Sequence, residues 1–146
     1  MPRFTTTLAN LCRVQGLLER AVRHGREAVR LSPQFIEGHI NLGVALRDSG
    51  QISAALQSYE RAIQLQPDYP EAHNELGYAL HQLGRYQLAV QQYQIAIQQK
   101  PDYGEAHYHL ALSFIALHNR QAALQQYRIL QRIDNERATK LFNQIK

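Results

Sequence analysis

Seven histidines are the side chains of this 146-residue sequence best suited to hold a metal or move a proton. His39, His73 and His107 stand 34 residues apart and so share one column of a repeat. If each period is a pair of packed helices with axes roughly 8–10 Å apart, successive imidazoles are a whole repeat apart, whereas zinc ligands all lie within about 2.1 Å of one ion. The column is therefore a ladder and not a metal site. His107 and His109 fall on different faces of a helix, and His73, Glu75 and His81 have no thiolate or second carboxylate to complete a ligand set. There is no phosphate-cradling glycine loop, no Gly-x-Ser-x-Gly and no Ser/His/Asp spacing suited to nucleophilic attack. Cys12 occupies the column of Leu46, Leu80 and Phe114, where a thiol serves as a small buried hydrophobe. The reading is no catalysis, no metal and no cofactor.

The elements that carry these residues repeat with the same period. Proline recurs at 33, 67 and 101, and alanine at 21, 55, 89 and 123 and again at 28, 62 and 96, with Leu130 fourth in that column. Leu8, Leu42, Leu76 and Leu110 are each followed by Ala or Gly, and Gly16, Gly50 and Gly84 recur with His118 in the fourth place. Tyr59, Tyr93 and Tyr127 form the aromatic column. Within a period, the apolar spacing is helical on both sides of the glycine, and proline stops the second helix. Each copy thus reads as two antiparallel helices with a turn at the glycine, and stacking buries the faces that one copy alone leaves open.

These columns resemble the tetratricopeptide repeat over residues 2–135, nearly the whole chain. The resemblance implies an all-α, right-handed α-solenoid of antiparallel helix pairs. It gives one domain over 1–146, with repeats of about 2–35, 36–69, 70–103 and 104–137. A closing helix over about 136–146 follows, with Ala138, Leu141, Phe142 and Ile145 covering the last repeat and Lys140, Asn143, Gln144 and Lys146 facing water. The fourth copy replaces the turn glycine by His118-Asn119, where Asn tolerates the left-handed conformation, and Asn135 suits a C-cap. The first copy departs most, with Gly25 in the aromatic column. It reads either as a degenerate cap or as an end that docks something.

Charge and composition exclude several classes. The net charge of +4 sits at the ends: residues 1–34 hold six Arg and two Glu, residues 35–102 are acidic on balance, and residues 103–146 are basic again. Arg20, Arg23, Arg26 and Arg30 form a stripe along one helix, without the interleaved aromatics that nucleic-acid binding needs. The dense glutamines at 91, 92, 94, 98 and 99 read as a neutral exposed helix face. The longest near-apolar run, residues 110–117, is far short of the roughly 20 that span a membrane. With one Cys and no export signal, a cytoplasmic location is expected.

In the resembling family the first helices line a concave groove for a protein segment. By position the groove here would take Asn10 and Arg13 from the first repeat and Asn41, Val44 and Arg47 from the second. The third would add Asn74, Glu75, Tyr78 and His81, and the fourth Tyr108, His109, Leu112 and Ile115. The carboxylate clamp for acidic chaperone tails is argued against. Asn10 and Asn41 match it, but Thr6, Glu71 and Glu75 stand at its cationic places. The asparagine ladder of the sugar-transferase type also fails, because Thr7, Glu75 and His109 break it. The expected function is a non-enzymatic protein–protein interaction module for a peptide with an apolar or aromatic anchor and neutral or basic flanks. The alternatives are a self-associating element working through the first repeat, or the targeting domain of a larger enzyme.

Overall fold

A computed structural model describes the backbone of residues 2–146 and the side chains from Arg13 onward. The described residues form eight helices in two compact units, residues 1–65 and 66–146.

In the first unit, α2 (Ile36–Asp48) and α3 (Ile52–Leu65) form a helix pair. Gly50 turns the chain at φ +90°, Ser49 Oγ donates to the Leu46 carbonyl at 2.9 Å, and the Gln51 side chain donates to Ser49 Oγ at 3.2 Å. Tyr59 is fully buried with its ring against Gly43, and Ala55 and Ala62 are covered completely. The glycine lets a ring lie on the backbone of the facing helix, which closes the pair tightly.

The first copy does not form the expected pair. α1 runs unbroken over Pro2–Leu31, through Gly16, and packs on α2. Where the second copy has Asp48-Ser49-Gly50-Gln51, the first has Val14-Gln15-Gly16-Leu17, so the hydroxyl that bonds the Leu46 carbonyl and the amide that bonds that hydroxyl have Gln15 and Leu17 in their places. Gly25 also removes the ring that would hold a folded-back helix. Its own hydrogen is needed elsewhere: a Cβ there would come within 3.0 Å of Leu42 Cδ1, so glycine seats α2 directly against α1. Val22 is buried in that contact, while Ala21 and Ala28 are exposed. Cys12, expected in the core, lies outside the residues whose side chains are described.

In the second unit, α4 (Pro70–Gln82) pairs with α5 (Tyr86–Gln99), and α6 (Gly104–Ala116) with α7 (Arg120–Ile133). α5 packs on α6, and α8 (Asn135–Ile145) closes against α6 and α7. Tyr93 repeats the part of Tyr59, fully buried against Gly77. In the next pair Ala111 replaces the glycine, and Tyr127 is only half-buried, tilted against Phe142 at 5.7 Å. Ala138, Leu141 and Ile145 of α8 are buried as expected, but Phe142 is 46% exposed.

Two capping expectations are corrected. The turn after α6 is kept, but His118 adopts the left-handed conformation at φ 61°, and Asn119 caps α7 by accepting from the Ala122 amide at 3.1 Å. Asn135 begins α8. The cap is Asp134, which accepts from the Arg137 amide at 3.2 Å and from its guanidinium at 2.6 Å. That guanidinium holds the Asp134 carboxyl below the usual carboxylate range.

Candidate functional site on the face of α4 and α6

Three aromatic residues precede the first helices of copies two to four: Phe35, Tyr69 and Tyr103, again 34 residues apart. Each is the N-cap residue of its helix. Inside the helix that follows, the histidine column is tied to the same connection. Nε2 of His39, His73 and His107 lies 2.7, 2.8 and 2.8 Å from the carbonyl oxygens of Pro33, Pro67 and Pro101. A carbonyl only accepts, so Nε2 carries the proton. In the second unit the opposite nitrogen meets a glutamine side chain: His73 Nδ1 is 2.8 Å from Gln92 Oε1, and His107 Nδ1 is 2.6 Å from Gln126 Oε1. A neutral ring satisfies both contacts when the amide is turned to present its NH2. Gln92 therefore reaches inward and does not belong to the exposed glutamine face. The ladder fastens each connection to its helix pair, and among the described residues no group of three or more His, Cys, Asp or Glu could hold a metal.

On the second unit α4 and α6 are in contact, and their shared face collects both rings and charge. His109 is the hub. Its ring stands edge-on to Tyr78 at 4.9 Å and to Tyr108 at 5.5 Å, and stacks on Tyr93 at 6.0 Å. Glu105 Oε1 is 3.8 Å from His109 Nε2, one helical turn away. His81 Nδ1 lies 2.8 Å from Ser113 Oγ, and the ring of His81 meets Tyr86 edge-on at 4.9 Å. Burial pushes the His81 imidazole below its usual pKa.

Tyr103 marks the acidic part of this face. Its hydroxyl is pushed up, first by burial and then by the negative charges of Glu105, Glu71 and Glu75, while a hydrogen bond with Asn74 works the other way. Three carboxylates thus act by charge on one phenol. Asn74 is 1% exposed and its Oδ1 has no hydrogen-bond partner. Lys100 Nζ lies 4.8 Å from the centre of the Tyr103 ring.

The residues expected from sequence are distributed unevenly. Tyr78, Tyr108 and His109 come together, and Glu75 joins them through its charge at Tyr103. Asn74 is buried and presents no open surface. Leu112 and Ile115 are half-buried against the core of α6, α7 and α8, and Ile115 lines a pocket of about 240 Å³ with His118, Arg120, Gln144 and Ile145. The single apolar pocket expected from Tyr78, Tyr108, Leu112 and Ile115 is thereby divided. On the first unit, Arg13 and Asn41 are exposed and Val44 is half-buried. Arg47 is tied inward, its Nη1 3.4 Å from the Tyr59 hydroxyl. Asn10 lies outside the residues whose side chains are described. Tyr103 was missed, although the column of Phe35, Tyr69 and Tyr103 was visible at the repeat period.

A family model described as TPR repeat matches residues 45–84 and 77–117, together half of the chain. Among solved structures, a crystal structure of MamA is 22% identical, with 91% of this chain and 89% of that one covered and a TM-score of 0.76. TTC0263, a thermophilic TPR protein in Thermus thermophilus, is 24% identical over 88% of this chain and 73% of its own, also at 0.76. The first TPR of Spaghetti (RPAP3), bound to the HSP90 peptide SRMEEVD, is 18% identical over 77% of this chain and 90% of that one, at 0.73. These likenesses establish the fold, an all-α solenoid of helix pairs. Comparison with curated proteins finds no match. Among the described residues no helix is long and apolar enough to cross a membrane.

Proposed function

The chain belongs to the tetratricopeptide-repeat family, a family of protein–protein interaction modules, and on that footing we propose that it docks a segment of a partner protein on the face of α4 and α6. The module is non-enzymatic and cytoplasmic in this reading. The observation that carries it is the cluster of Tyr78, Tyr108 and His109 with Glu105 Oε1 3.8 Å from His109 Nε2, joined by the negative charge of Glu71 and Glu75 that acts with Glu105 on Tyr103. Carboxylates in a partly desolvated setting attract a cation far more strongly than they do in water, and tyrosine is among the residues enriched at binding hot spots. The matching ligand is a peptide with one large apolar or aromatic side chain and a Lys or Arg next to it.

The same charges argue against an acidic tail. Glu71 and Glu75 stand where the chaperone-tail clamp requires cations, so a ligand such as SRMEEVD meets repulsion here. Fluorescence anisotropy with labelled SRMEEVD and with SRMKKVK, in which lysines replace its three acidic residues, tests the reading directly. The basic peptide is expected to bind, and to lose most of its affinity on Glu71→Gln/Glu75→Gln. Tighter binding of the acidic peptide overturns the proposal.

A further inference from the structure

The first unit carries a face that the helix-pair rule leaves uncovered. In α3 and α5 the small-residue columns, Ala55 and Ala62, Ala89 and Ala96, are fully buried under the first helix of their own copy. In α1 the same columns are Ala21 and Ala28, and both are exposed. Val14, Leu17 and Leu31, at 51, 55 and 67% exposure, continue the strip at spacings of three and four. None of these residues is charged. Arg20, Arg23, Arg26 and Arg30 fall outside the strip, as does the ion pair that Arg30 makes with Glu27, and Arg13, one turn before Leu17, borders its N-terminal end. An apolar strip with charges at its border has the composition of an interface core with its rim.

The sequence names the occupant. Residues 2–15 carry the first-helix columns of copy one, Leu8, Ala9 and Cys12, at the places of Leu42, Gly43 and Leu46. Because α1 is unbroken, this is a first-helix segment without its second helix, while residues 17–31 are a second-helix segment without its first. Even the polar columns correspond. The pair that hydrogen-bonds as His73 with Gln92 and as His107 with Gln126 is Thr5 with His24 in copy one, again a pair able to hydrogen-bond.

We propose that the exposed strip of α1 binds residues 2–15 of a second copy of this chain, rebuilding the missing helix pair between molecules. At 100° per residue the columns of Leu8 and Cys12 and those of Ala21 and Ala28 lie on opposite sides of one unbroken helix. A single neighbour alongside cannot take both. Each copy therefore receives an arm from one neighbour and gives its own to another, a head-to-tail arrangement that makes a ring where the rotation closes and an open chain where it does not.

The test is sedimentation equilibrium of the full chain from low micromolar to near-millimolar concentration. The mass of the wild type is expected to climb with concentration. Two variants separate the arm from other contacts. Ala21→Arg puts a charge in the strip without touching the packing on α2. Val14→Asp/Gln15→Ser/Leu17→Gln grafts the turn of the second copy, so that the arm folds back on its own strip. Both are expected to sediment as monomers, with the wild-type helix content in circular dichroism. A wild type that stays monomeric throughout overturns the inference, and so does an association that survives both variants. Neither change touches α4 or α6, so this inference and the peptide-docking reading stand or fall separately.

Discussion

Ala21 and Ala28 of α1 occupy the same columns as Ala89 and Ala96 of α5, yet the first two are exposed and the second two have no accessible surface. The difference lies in what faces them. In the second unit Gly77 admits the ring of Tyr93, the turn at Gly84 returns the chain at φ +78°, and the pair closes. In α1 the aromatic column holds Gly25, the turn residues are Val14, Gln15 and Leu17, and the helix goes on. Two locks close the pairs of copies two and three, a turn and a ring on a glycine, whereas α6 and α7 pair through the turn with Ala111 in the glycine's place. Sequence columns without those locks give a helix and no pair.

The contrast can be broken most severely at Tyr93. Tyr93→Ala is expected to cost about 3–5 kcal/mol of stability in chemical denaturation, whereas Val14→Ala stays within roughly 0.5 kcal/mol in the monomer. A small loss at Tyr93 would show that the ring does not hold the pair. Gly77→Ala comes next. Its Cβ would lie 2.7 Å from Tyr93 Cε1. The overpacking of about 1–3 kcal/mol exceeds the gain of up to about 1 kcal/mol in helix propensity, so a net destabilisation is expected.

Removing a cap is a smaller change. Asn119→Ala takes away the acceptor of the Ala122 amide and is expected to cost about 1 kcal/mol, read as a lower midpoint in urea. Gly16→Ala should act in the opposite direction. Nothing lies within 4 Å of a Cβ at that position. A glycine inside a continuous helix is replaced at no steric cost, so a gain of about 0.5–1 kcal/mol is expected. A loss would mean that the chain turns at Gly16 after all.

The smallest effect is a pH dependence confined to the second unit. Burial keeps the folded-state pKa of His81 below its value in the unfolded chain. The unfolded state then binds the proton first, so the contribution of His81 is complete above about pH 6.5 and declines as the pH falls toward the folded-state value. Melting temperatures of the wild type and of His81→Asn should converge on acidification. A constant difference between them would remove the imidazole as the cause.

Much of this architecture is legible without coordinates, because a 34-residue period in Pro, Ala, Leu, Gly and Tyr repeats the steric requirements of one helix pair. The helix pairs of copies two to four follow from spacing, and the closing helix from the family resemblance that the spacing carries. The column of Phe35, Tyr69 and Tyr103 was equally visible, and it points to the N-cap positions that place Tyr103 on the acidic face. Three things were decided only by tertiary structure. Whether copy one folds back depends on contacts across space, since a single glycine in a helix-compatible stretch does not make a turn by itself. Whether Asn74, Leu112 and Ile115 meet a ligand or the core depends on which neighbours cover them, and a helical period gives the face of a residue but not the depth of its burial. The joint action of Glu71, Glu75 and Glu105 on one phenol links residues up to 34 positions apart, and a charge pattern along the chain carries no distance between helices until packing supplies it.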